Sequence, residues 1–179
     1  MNIIQLEQCI GDYGKELYSF CLYLTGNVQE AEDLYQDTFL KALELRERMD
    51  AQYNPKSYLV SVALRLWKNK KRKYAWRMRI AGSRQMIEDW AEDEQAAESE
   101  NYEGSVEEQI LQKEVTLQVR KAVAGLEEKY RIPVYLYYTA QLSVGEISRI
   151  LKIPEGTVKT RLHKARKLLK TELEVVLDE

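Results

Sequence analysis

The chain has 179 residues, with 27 Lys and Arg against 29 Asp and Glu, one His and two Cys. That length holds one full domain or two small ones, and a composition 45% hydrophobic and 31% charged is that of a soluble globular protein. No run approaches a membrane span and the first residues lack a signal peptide's apolar stretch, so a cytoplasmic protein without membrane insertion is expected. Cys9 and Cys21 have no further ligands near them, and His163 sits among Lys and Arg without a nucleophile or carboxylate beside it. The expectation is therefore no metal site, no cofactor, no catalytic residue and no enzyme, with both cysteines as small core residues.

The near-neutral total hides a segregation. Residues 1–75 carry 11 basic and 10 acidic side chains, 76–108 carry 3 and 10, and 109–179 carry 13 and 9, for net charges of +1, −7 and +4.

In chain order, apolar residues recur at three and four positions, the helical period. Leu17, Phe20, Cys21 and Leu24 form a first stripe. Asn27 with Glu30 three residues on is a capping-box pattern, opening a helix with Ala31, Leu34, Thr38, Ala42 and Leu45 on one face. Glu32, Asp33, Gln36 and Asp37 fall on its polar side. The stretch from Asp50 to Pro55 breaks the period, and Asn54 before Pro55 reads as N-cap and first turn of a third helix burying Leu59, Val62, Ala63 and Leu66. That helix ends in Arg65, Lys68, Lys70, Lys71, Arg72 and Lys73 without an intervening acid, and Trp67 belongs to its core side. A basic run of this kind suits phosphate or is simply a solvated helix end.

Between Glu88 and Glu108 lie ten acids and no Lys or Arg, which marks a mobile linker. Ser105 and Glu108 repeat the capping signature before a helix through Ile110, Leu111, Val115, Ala122, Val123 and Leu126. The next helix carries Pro133 in or near its first turn. Ser143 and Glu146 cap a further one with Ile147, Ile150 and Leu151, and the last starts near Pro154 and buries Val158, Leu162, Ala165 and Leu169. No strand signal competes. The fold class expected is all-α: two small helical domains joined by an acidic flexible linker, the C-terminal one a helix-turn-helix.

The final two helices, joined by Lys152 and Ile153 with the small Ser148 at their approach, have the helix-turn-helix layout. Lys152 stands where a residue in the left-handed conformation is needed, at a cost of roughly 1 kcal/mol. With the apolar stripe turned inward, Thr157, Lys159, Thr160, His163, Lys164 and Lys167 face outward to read bases and hold phosphates.

The run from Gly156 to Arg166, GTVKTRLHKAR, resembles the recognition helix of extracytoplasmic-function (ECF) sigma factors. Glu128–Pro133 and Leu142–Ile147 resemble the segments before it, Ala31–Phe39 the family's polymerase-binding helix, and Ala63–Lys73 its promoter-opening helix. The likeness departs at Ser57-Tyr58, where Trp-Leu is common, and at Asn69, where Asp is common. It implies a factor that binds core RNA polymerase and directs it to promoter DNA, with three parts: a sigma-two-like domain at 1–80, an acidic linker at 81–104 and a sigma-four-like domain at 105–179.

By that resemblance Glu32, Asp33, Gln36 and Asp37 meet the clamp coiled coil of the polymerase. Tyr53 and Asn54 capture a flipped minus-ten base, with Asn54 equally well read as a cap alone, and Arg65, Lys68, Lys71 and Arg72 hold the non-template strand. Thr157, Lys159, Thr160, His163, Lys164 and Lys167 read the minus-thirty-five element, and an anti-sigma factor is implied as a partner. A conventional helix-turn-helix regulator acting without polymerase is the alternative. The linker acids either restrain DNA binding by the free protein or serve only as a soluble spacer.

Overall fold

The structure, a computed structural model, describes residues 3–45, 54–80 and 106–177, with side chains over 8–45, 54–80 and 113–174. Every element among the described residues is helical: α1 (Ile3–Thr25), α2 (Val28–Glu44), α3 (Pro55–Ile80), α4 (Val106–Gly125), α5 (Glu128–Val134) running into a π-helical turn (Tyr135–Thr139), α6 (Val144–Leu151) and α7 (Glu155–Leu177). The chain divides into two compact units between Ala96 and Ala97.

In the first unit α1, α2 and α3 pack on one another pairwise. The expected stripe of Leu17, Phe20, Cys21 and Leu24 is buried against Ala31, Leu34, Thr38 and Ala42 of α2 and Leu59, Val62 and Ala63 of α3. Each Leu or Phe so buried contributes about 1.5–3 kcal/mol. Thr38 is tolerated inside because its hydroxyl donates to the Leu34 carbonyl at 2.6 Å. Gly26, at φ 66°, makes the left-handed step between α1 and α2. Asn27 then caps α2, its Oδ1 accepting from the Glu30 N–H at 3.1 Å. Gly14 lets the Tyr35 hydroxyl approach to where a Cβ would lie only 2.9 Å away. Tyr35 also meets Tyr18 and Phe39 edge-on, at ring distances of 5.8 and 4.9 Å.

Three departures from the sequence reading have physical causes. α3 buries Val60, Leu64 and Trp67 beyond the residues expected, while Leu66 is only half-buried, because the helix sits in the groove between α1 and α2 and is covered on more than one stripe. Pro133 lies not in a first turn but at the sixth position of α5. Proline has no N–H to give the Lys129 carbonyl, and the helix widens just beyond it. The Ala140 N–H closes on the Tyr135 carbonyl at 3.0 Å, five residues back, and the Leu142 N–H on that of Leu136 at 2.9 Å. Leu136 and Leu142 are thereby buried while Tyr137 and Tyr138 face outward. Finally, Val115 is 47% exposed although it shares the helical period of α4, which packs chiefly on α7.

The Ser105–Glu108 cap, the acidic linker, and the side chains of Ile110 and Leu111 lie outside the described residues.

Candidate nucleic-acid interface

The helix-turn-helix is built by three local devices. Ser143 and Glu146 form the full reciprocal cap of α6: the Ser143 Oγ accepts from the Glu146 N–H at 3.3 Å, and Glu146 Oε2 accepts from the Ser143 N–H at 2.9 Å. Lys152 takes the left-handed conformation, φ 55° and ψ 46°, as its place in the turn requires. Ser148 locks the turn from both sides, its Oγ donating to the Ile153 carbonyl at 2.6 Å while its own carbonyl accepts from the Ile153 N–H at 3.1 Å. Its smallness was the legible part; the lock was not.

α7 starts on the Pro154 carbonyl, which accepts from the N–H groups of Thr157 and Val158. Val158, Leu162 and Ala165 are buried and Leu169 is half-buried at the edge of the stripe. This orientation leaves Lys159, Thr160, His163, Lys164 and Lys167 exposed and Thr157 half-buried. Thr160 spends its hydroxyl proton on the Gly156 carbonyl at 2.9 Å, so the side chain faces outward as an acceptor.

A cleft of about 550 Å³ opens beside the start of α7, lined by Lys129, Tyr130, Pro154, Gly156, Thr157, Thr160, Arg161 and Lys164. Tyr130 anchors its cationic rim, with Lys129 Nζ 5.0 Å and Lys164 Nζ 5.5 Å from its ring centroid. The Glu127 carboxylate, hydrogen-bonded to Lys129, raises that ammonium's pKa above the usual value. Arg161 and Lys129 were not singled out from sequence, because only the packing of α5 on α7 brings them together.

The second basic surface runs along α3. Arg65, Lys68, Lys71 and Arg72 are all exposed, and Trp67 beneath them is 8% exposed, a core residue that also carries Lys71 over its ring at 5.1 Å. Asn69, where the family commonly has Asp, accepts a hydrogen bond from Arg72 at 3.4 Å.

Two family matches cover these two units: Sigma-70 region 2 over residues 9–77 and Sigma-70, region 4 over residues 116–169. The chain is 31% identical over 171 residues to the ECF RNA polymerase sigma factor SigW of Bacillus subtilis, spanning 90% of this chain and 84% of that one. It belongs to the ECF sigma factors of RNA polymerase. SigX of the same organism is 26% identical over 176 residues, covering 93% and 82%. Among solved structures, the sigma factor RpoE in complex with the anti-sigma factor NepR from Bartonella quintana has a TM-score of 0.70 at 24% identity, over 97% of this chain and 99% of that one. CnrH in complex with the cytosolic domain of CnrY gives 0.64 at 16%, over 97% and 90%. These two likenesses bear on the fold alone. A sigma factor directs RNA polymerase to promoters, and the alternative of a conventional regulator acting without polymerase is not favoured.

On this sigma factor the acidic face of α2 is in place, with Glu32, Asp33 and Gln36 exposed and Asp37 half-exposed. Asp37 is already engaged: its carboxylate pairs with Lys70 of α3 at 2.9 Å. No sequence signal links residues 33 positions apart in this way. Asn54 caps α3, its Oδ1 accepting from the Lys56 N–H and its carbonyl from the Tyr58 N–H, each at 3.1 Å. Tyr53, the candidate for base stacking, lies outside the described residues. Both cysteines are buried, and burial pushes the Cys21 thiol up to about 12. Among the described residues no cluster of His, Cys, Asp or Glu could hold a metal ion, and no helix is long and apolar enough to cross a membrane.

Proposed function

We propose that this sigma factor docks through Glu32, Asp33, Gln36 and Asp37 on the clamp coiled coil of core RNA polymerase. Tyr53 and Asn54 take a flipped minus-ten base, and Arg65, Lys68, Lys71 and Arg72 hold the non-template strand. The minus-thirty-five element is read by Thr157, Lys159, Thr160, His163, Lys164 and Lys167. The functional divisions are 1–80, 81–104 and 105–179, the protein works in the cytoplasm, and it performs no chemistry of its own. The observation that supports this most is the pairing of two exposed basic helices with one acidic helix face in a single chain.

Docking through carboxylates steers association and fixes register, while affinity for DNA comes from phosphate contacts and specificity from base edges. An anti-sigma partner is part of the proposal. It is supported by RpoE having been captured with the anti-sigma factor NepR. Runoff transcription with core polymerase on a genomic library tests the whole reading, since it reports promoter selection and its sequence together. Transcripts that start at the same positions with and without this protein overturn it.

A further inference from the structure

α3 does not stop where its core stops. Trp67 is the last buried residue of the helix, yet α3 continues to Ile80, and residues 68–80 add about 20 Å at 1.5 Å per residue. Only Asn69 and Met78 of this extension are partly covered. It carries seven Lys or Arg and no acid. Like charges three and four apart weaken a helix, so the extension is not arranged for its own stability.

Within it Trp76 is 64% exposed. Helical spacing surrounds it with Arg72 and Lys73 at four and three residues before, and Arg79 and Ile80 at three and four after. We infer that Trp76 is a base-stacking residue for unpaired DNA, with Arg72, Lys73 and Arg79 as the phosphate contacts around it. Charge selects the class of occupant: of the seven cations Lys70 pairs with the carboxylate of Asp37, and a surface so rich in Lys and Arg fits a polyanion. The ring selects the form. A duplex offers only base edges in its grooves, and inserting a ring there costs a few kcal/mol of unstacking, whereas an unpaired strand presents a free π-face. Trp is the aromatic with the largest face for that purpose, and here it contributes nothing to a buried core. The inference deepens the proposed role of α3 in holding the non-template strand and rests on that reading.

The test uses the full chain at low salt, with fluorescence anisotropy of a labelled oligothymidine and of a labelled duplex of equal length. Trp76→Ala weakens the single strand by at least about 5-fold, the low end of aromatic stacking, and leaves the duplex within about 2-fold. Trp76→Phe restores most of the loss, and Arg72→Ala weakens both nucleic acids and lowers the salt slope by about 1. If Arg72→Ala weakens binding while Trp76→Ala equals wild type, stacking is overturned and the reading of α3 as a DNA-facing helix stands. If neither substitution changes either affinity, both are overturned.

Discussion

α3 and α7 are both long, basic helices of one chain, but they are held in different ways. α7 has an apolar stripe, Val158, Leu162 and Ala165, against α4, α5 and α6, and its start is pinned by the Ser148 lock and the left-handed Lys152. Its outward face is therefore presented at a fixed rotation, which is what reading base edges demands. α3 is packed up to Trp67 and then runs on largely exposed, carrying cations around an exposed ring. A strand that is being opened has no fixed groove geometry, and a projecting cationic helix suits it better than a rigid reading face. On the proposed reading, basic charge alone does not set how each helix would meet DNA; the rotational constraint on the helix beneath it does.

The sharpest way to break this comparison is to remove the constraint from α7. Leu162→Ala opens a cavity in the second unit and costs about 2–5 kcal/mol, visible in thermal melts as early loss of that unit's helix, whereas Trp76→Ala on the uncovered end of α3 stays within about 0.5 kcal/mol of wild type. Equal effects would erase the distinction. Next in size are the residues proposed to read bases. Alanine at Thr160 or His163 shifts sequence preference by about 1–3 kcal/mol at the base pairs each touches, read by binding selection on the minus-thirty-five element with holoenzyme. Lys68→Ala on α3 instead weakens all sequences alike and lowers the salt slope by about 1. A changed preference from Lys68 or an unchanged one from both Thr160 and His163 would reverse the assignment.

A smaller effect tests the turn that sets the angle of α7. Lys152→Gly relieves the left-handed strain and raises the stability of the second unit by up to about 1 kcal/mol in denaturant titration, without altering promoter preference. The smallest effect concerns the seam between the acidic face and the basic helix. Asp33→Lys slows association with core polymerase and leaves stability unchanged, because its side chain is solvent-exposed. Asp37→Lys does the same and also loses the Lys70 pair, at a stability cost of no more than about 1 kcal/mol. Competitive binding against wild type measures the first quantity and thermal melts the second; undiminished polymerase affinity for both variants removes the docking proposal.

Much of this protein was legible in the residues themselves. The helical period named Leu17, Phe20, Cys21, Leu24, Val158, Leu162 and Ala165 as core, and all are buried. The Asn27, Asn54 and Ser143 caps and the strained turn at Lys152 were readable for the same reason, since caps and turns are decided by residues within four positions of each other. Sequence could also assign the family, because the motif residues are contiguous along helices.

What only the tertiary structure decided depends on residues far apart in the chain or on what covers a helix. The Asp37–Lys70 pair joins two helices, the Lys129–Tyr130–Lys164 cluster exists because α5 lies on α7, and Pro133 sits deep in a helix because the widened turn after it still buries Leu136. Trp67 and Trp76 make the point within one helix. Both follow the same local rules, but the first is buried in a helix that packs on α1 and α2 and the second is 64% exposed, and no local pattern records how far along a helix its cover extends.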